Sequence, residues 1–215
     1  MWGKDVNPND SWLGYGPGSL SARSRTARTG QFLRTFPDLE QLRVVDLGGT
    51  TQFWHLMPVR PAAVTVVNLD PSVSDPAGEI ACVVADACSY DGPQADLVVS
   101  NSLIEHVGGV GPRSKLAETV MRLAPRYWVQ TPYRYFPLEP HWMFPGMQFL
   151  PLNARARLAR RHWTVGTRMD ARYAMQQARW TELIGITELQ QLFPQAEIWR
   201  ERVAGITKSI TAVRP

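Results

Sequence analysis

The chain has 215 residues, 44% of them hydrophobic and 20% charged, a length and balance that support one packed domain and exclude disordered and fibrous classes. Its formal charge is +4, and 20 of its 23 basic residues are arginine, a bias that reads as genome composition before it reads as a nucleic-acid surface. No apolar run approaches the ~20 residues that span a bilayer, no secretory leader follows Met1, and Cys82 and Cys88 are expected as reduced thiols of a cytoplasmic protein.

Residues 1–19 are rich in Gly, Pro, Asn and Trp and read as an irregular arm, with Trp2 and Trp12 set to close over a ligand or to swap to the partner chain of a homodimer. A helix is expected from Leu20 to Phe36. LRVVDLGGT then reads as a strand that ends in Asp46 and the pair Gly48–Gly49, and TQFWHLM opens a helix. Three more strands follow at Ala63–Asp70, Ile80–Ala87 and Ala95–Ser102. Lys115–Ala124 reads as a helix ended by Pro125, and RYWVQTP is the fifth strand. Near-continuous apolar runs alternating with helical segments predict an α/β, doubly wound, mostly parallel sheet buried on both faces.

After Pro132 the texture changes. YRYFPLEPHWMFPG holds five aromatics among frequent prolines, which suits a fixed aromatic loop. A basic helix is expected at Asn153–Trp163, then a polar stretch to Trp180. ITELQQLF reads as a helix, and AEIWRERV and TKSITAVR as the sixth and seventh strands. One domain over 1–215 thus divides into an arm and helix (1–39), a ligand-binding core (40–132), a substrate-facing lid between strands five and six (133–180), and a C-terminal helix with the last strands (181–215).

Glycines just after a strand let a ligand approach the backbone. VVDLGGT lacks the three-glycine spacing of a dinucleotide fingerprint and the Lys-Ser/Thr of a phosphate loop, which disfavours NAD and ATP. Polar residues close the later strands: Asn68 and Asp70 suit ribose hydroxyls, and Asp86 suits an adenine amine. With VVDLGGT, NLD, ADA, SNSLIEH and a final KSITAVR over roughly 40–213, the sequence resembles the Rossmann-like S-adenosylmethionine-dependent methyltransferases. By position the resemblance implies Gly48, Gly49 and Thr50 against the methionine moiety, and Asn68, Leu69 and Asp70 at the ribose. It implies Asp86 and Ala87 at the adenine, and Asn101 and Ser102 under the sulfonium. Either Asn68 or Asp70 can serve the ribose. The plain alternative is that Asp46, Asp70 and Asp86 only cap turns.

A second constellation joins Glu105 and His106 after strand four to Glu139 and His141 after strand five. Two carboxylates and two imidazoles suit a divalent ion, Mg²⁺ or Mn²⁺, over structural zinc. The spacing resembles metal-dependent small-RNA 2′-O-methyltransferases, although Ser102 stands where that family has another Glu and Glu139 would have to substitute. Without metal, Glu105 fixes its loop and His141 or His106 is the general base. His55 and His162 read as structural. Tyr133, Tyr135, Phe136, Trp142, Phe144 and Phe149 form either a platform for a sugar or planar acceptor or the packing of the lid, and Arg155, Arg157, Arg160 and Arg161 read as a solvated helix face before a contact to an acidic or nucleic-acid substrate.

The reading is an O-methyltransferase acting on a hydroxyl of a small molecule, a saccharide or glycosylated metabolite, with nucleic acid and membrane disfavoured as partners. The GGT…FW and QTP…EPH pattern resembles a bacterial subgroup, among them the sugar 1-O-methyltransferases of mycobacterial methylmannose polysaccharide synthesis. The alternatives are an RNA 2′-O-methyltransferase and a non-catalytic accessory subunit that keeps the fold.

Overall fold

Segments that are apolar on both faces are satisfied only inside a sheet covered by helices. The computed structural model describes residues 20–161 and 169–215, so the arm at 1–19, His162 and the end of the predicted basic helix lie outside the described residues. The first half of the chain runs α1 (Leu20–Thr35), β1 (Arg43–Leu47), α2 (Thr51–His55), β2 (Ala63–Asn68), β3 (Ala81–Val84), β4 (Leu97–Asn101), α3 (Val110–Leu123) and β5 (Arg126–Pro132). The second half runs through a short pair, β6 (Leu138–Glu139) and β7 (Phe144–Pro145), then α4 (Leu152–Arg160), α5 (Ala171–Trp180), α6 (Ile186–Leu192), β8 (Glu197–Val203) and β9 (Ile206–Arg214).

Seven strands form one sheet in the order β3-β2-β1-β4-β5-β9-β8. The first five are mutually parallel, while β9 runs antiparallel to both β5 and β8. The expected mostly parallel, doubly wound sheet is therefore what forms. The order reverses between β1 and β4, which opens a crevice at their carboxyl ends where ligands of such sheets bind.

Strand alternation divides the core in two. Tyr127, Val129 and Ile210 pack with Leu116 and Val120 of α3 and Leu189 of α6. Trp128, Leu97 and Val99 face the other way, against Phe32 and Phe36 of α1 and Trp54 of α2. A third, smaller cluster of Trp142, Met147, Ala159 and Ala174 lies within the lid segment.

Several elements differ from expectation for local reasons. Helix α3 begins at Val110 and not Lys115, because Pro112 falls in the first turn, where its missing N–H is no loss. No helix links β2 to β3 or β3 to β4. Those connections are held by carboxylate caps instead: Asp75 Oδ2 accepts from the Glu79 and Ile80 amides at 2.7 and 2.8 Å. The polar stretch before Trp180 contains α5, started by Asp170, whose side chain accepts from the Tyr173 amide at 2.8 Å.

Candidate active site

The glycine turn after β1 is shaped by what lies under it. Gly48 has φ +78°, and a Cβ there would stand 2.8 Å from Leu103 Cδ1. A Cβ on Gly49 would collide with the carboxylate of Asp46. Asp46 is 1% exposed, and the Trp54 indole donates to its Oδ2 at 2.8 Å while Oδ1 has no partner. Burial pushes this carboxyl up to about 7, against the hydrogen bond from Trp54. Sequence reading placed Asp46 at a strand end but missed this pairing, whose only signal is a Trp eight residues on.

At the end of β2 the two candidate ribose residues do different things. Asn68 Nδ2 donates to the Gly49 carbonyl at 2.8 Å and its Oδ1 accepts from the Asp70 amide at 3.0 Å, so Asn68 ties the glycine turn to the neighbouring strand. Asp70 stays exposed, its carboxyl held below the usual range by the Ser72 hydrogen bonds. Leu69 is 68% and Val84 60% exposed, and Asn68 pairs with Val84 in the β2–β3 register. Exposed apolar side chains and exposed carboxylates, Leu69, Val84, Asp70 and Asp86, thus stand at the ends of these two strands, while Ala87 is buried. Apolar side chains and carboxylates of this kind are the groups a nucleoside's base and hydroxyls require.

The end of β4 bends sharply. Ser102 has φ 53°, its amide donates to the Gln130 carbonyl at 2.9 Å, and its hydroxyl donates to Gln130 Oε1 at 3.3 Å. Arg28 of α1 donates to the same Oε1 at 3.2 Å and pairs with buried Glu201 at 2.8 Å. Asn101 Oδ1 is buried and has no partner. An unpartnered acceptor beside the glycine turn suits a cationic donor such as a ligand ammonium.

Beyond Ser102 the acid and imidazole residues converge. Ligand atoms of Glu105, His106 and His141 lie within 4.8 Å of one another. Glu105 is fully buried: Thr131 Oγ1 donates to its Oε2 at 3.0 Å, Oε1 has no partner, and burial raises its pKa. His106 Nδ1 lies 3.2 Å from the Trp180 carbonyl, so this nitrogen carries the hydrogen. His141 Nδ1 lies 2.7 Å from Glu139 Oε1. The two Nε2 atoms consequently face each other at 3.1 Å with a proton or a cation needed between them.

Burial and the neighbouring His141 push His106 down to about 4. In His141 burial works the same way, but the hydrogen bond and charge of Glu139, with the charge of Glu105, outweigh it and raise the pKa. Two nitrogens bound ~2.1 Å from one ion at ~90° would stand ~3.0 Å apart, so the observed pair fits adjacent ligands of an octahedral cation. Glu139 stands one step back. Its Oε1 orients His141 and its Oε2 accepts from the Trp142 amide at 2.7 Å. Thus three of the four expected ligands meet, and the fourth holds one of them.

The segment Trp180–Ile184 is stitched to this centre. The Glu182 amide donates to the Glu105 carbonyl at 2.9 Å, the Arg134 amide to the Ile184 carbonyl at 3.1 Å, and Arg155 to the Thr181 carbonyl at 3.0 Å. His55 lies elsewhere, paired with Asp75 at 2.8 Å.

No family model matches the chain, and no curated protein matches its sequence. Solved structures do match in fold. N-methyltransferase NodS from Bradyrhizobium japonicum WM9 is 11% identical with TM-score 0.54, the match covering 89% of this chain and 95% of that one. Magnesium protoporphyrin IX methyltransferase from Synechocystis PCC 6803 with bound SAH is 11% identical, TM-score 0.54, covering 94% and 91%. Human N-acetylserotonin methyltransferase in complex with SAM is 17% identical, TM-score 0.51, covering 90% and 54%. The chain thus has the Rossmann-like methyltransferase fold, with the strand ends that hold the candidate site at its switch point.

Proposed function

We propose that the protein is an S-adenosylmethionine-dependent O-methyltransferase whose acceptor is a hydroxyl of a saccharide or glycosylated metabolite, assisted by a divalent cation. The observation that carries this reading is the facing Nε2 pair of His106 and His141 beside buried Glu105, set at the strand ends of a methyltransferase fold. S-adenosylmethionine, when bound, supplies a methyl group on a positively charged sulfur. Gly48 and Gly49 let the turn close on Leu103 and Asp46 and present its backbone to the methionine part, Asn101 Oδ1 accepts from the ammonium, and Asp70 accepts from ribose hydroxyls.

A neutral alkyl hydroxyl is a poor nucleophile until its proton is taken. With no cation between them, the Nε2 pair is the acceptor for that proton, and Glu139 stabilises the charge that results on His141. A cation such as Mg²⁺ or Mn²⁺, held by Glu105 Oε1 and both Nε2 atoms, would supply Lewis-acid activation of the same hydroxyl. The test is transfer of label from radiolabelled S-adenosylmethionine to sugars, phenols, small acids and short RNA, with EDTA or with added Mg²⁺ or Mn²⁺. Label in a saccharide that depends on cation is expected, and full transfer in EDTA would leave the imidazole pair as plain base.

A further inference from the structure

The basic excess of the chain is confined to the lid. Residues 133–180 hold eight arginines and two carboxylates, net +6, while the remainder holds 15 basic and 17 acidic residues, net −2. One of those two carboxylates, Glu139, is buried against His141. Outside the lid, Arg28, Arg43, Arg60, Arg113, Arg122, Arg126 and Lys208 all pair with carboxylates. Among the described residues none of the seven lid arginines does so.

Exposed rings gather in the same place. Every exposed aromatic among the described residues, Tyr135, Phe149, Tyr173 and Trp180, belongs to the lid, whereas the exposed large aliphatic side chains among them all lie outside it. Helix α5 arranges the two chemistries side by side. Arg172 and Arg179 are seven residues apart on one exposed stripe, and Tyr173 and Trp180 share the adjacent one, each stripe ~10 Å long at 1.5 Å per residue. Trp180, at the end of this double stripe, holds His106 through its carbonyl.

From this we propose that the acceptor is a phosphorylated saccharide, its sugar ring lying on Trp180 and its phosphate held by Arg179 and Arg172. Guanidinium groups grip phosphate oxygens through paired N–H donors. Trp180 adjoins the His106–His141 centre through its backbone, so a sugar stacked on its exposed ring lies one residue from the strand-end site. A long nucleic acid is disfavoured because its backbone would run from the cationic lid onto a net-negative remainder. An anionic membrane is disfavoured because the described residues of the lid expose no large aliphatic side chain to bury in it.

The inference rests on the methyl-transfer reading but is tested apart from it, by calorimetric titration of the full chain with glucose 1-phosphate, mannose 1-phosphate and the two parent sugars, without cofactor. At least one sugar phosphate is expected to bind ~10-fold or more tightly than its parent sugar, as charge-assisted hydrogen bonds warrant. Arg172→Gln with Arg179→Gln should erase that preference, while Arg43→Gln should leave it, and Trp180→Ala should weaken sugar and sugar phosphate alike. Titration of S-adenosylhomocysteine into the same double variant should be unchanged; loss of that binding in the unmodified chain would sink the methyl-transfer reading alone. No preference for phosphate, or a preference that survives the double variant, overturns the proposal. So does tighter binding of a 20-nucleotide single-stranded RNA or of phosphatidylserine vesicles that depends on the same arginines.

Discussion

Replacing Asp46 by Asn should change how stability depends on pH. Asp46 is enclosed beneath the glycine turn, and burial lifts its carboxyl from 3.8 to about 7. Below pH ~4 the group is protonated in both folded and unfolded chains and makes no pH-dependent difference. As pH rises from 4 to 7 the unfolded chain releases this proton while the folded chain keeps it, so the folded state loses ground at about 1.4 kcal/mol per pH unit. Over the three units between the two pKa values the loss reaches about 4 kcal/mol, and it stays constant above pH 7. Asp46→Asn preserves an acceptor for Trp54 Nε1 and removes the titration. Urea unfolding followed by tryptophan fluorescence from pH 4.5 to 8 should show the variant gaining on the parent chain by about 3 kcal/mol across that window. Parallel profiles for the two proteins would refute the reasoning, because they would mean that Asp46 is ionised in the folded state throughout.

Gly48→Ala puts a side chain in the left-handed region and a Cβ against Leu103; a stability loss of about 1–3 kcal/mol is expected, with Leu103→Ala restoring part of it and neither restoring S-adenosylhomocysteine binding in calorimetry. Thr131→Val removes the hydroxyl that donates to Glu105, and Mn²⁺ affinity read by electron paramagnetic resonance should fall about 10–100-fold. Glu139→Gln leaves a neutral partner for His141, so NMR titration of His141 should show its pKa falling toward that of an ordinary or buried imidazole; an unmoved value would show that Glu139 does not set it. Leu116→Ala, at a fully buried position of α3, should cost about 2–5 kcal/mol in urea unfolding with S-adenosylhomocysteine affinity kept.

Much of the architecture was readable because parallel strands buried on both faces appear as unbroken apolar runs such as LVVSN, and the glycine and acidic residues at their ends share one edge by topology. The pairing of Glu105 and His106 with His141 was also readable, since the segments after β4 and β5 are neighbours wherever those strands pair. The rest was not legible. Helix α5 is disguised by a run of polar residues whose apolar face is only Ala174 and Ala178, too small to dominate the periodicity. The setting of Glu139 behind His141 depends on a turn that brings residues two apart into contact. Arg28 reaches Gln130 and Glu201 across 102 and 173 residues of sequence, a separation over which composition carries no signal.

The lid has its own small core around Trp142 and Met147 and joins the sheet at two seams, Tyr133–Arg134 and Trp180–Ile184. It is therefore a cassette. Apart from Glu139 and His141, which complete the centre, the described residues between the seams pack among themselves, while the seams keep Glu105 and His106 in place. The lid is thus tied to the sheet by backbone bonds at its two ends and by the His106–His141 contact, so a replacement of its sequence has to keep Glu139, His141 and the carbonyl that Trp180 presents to His106.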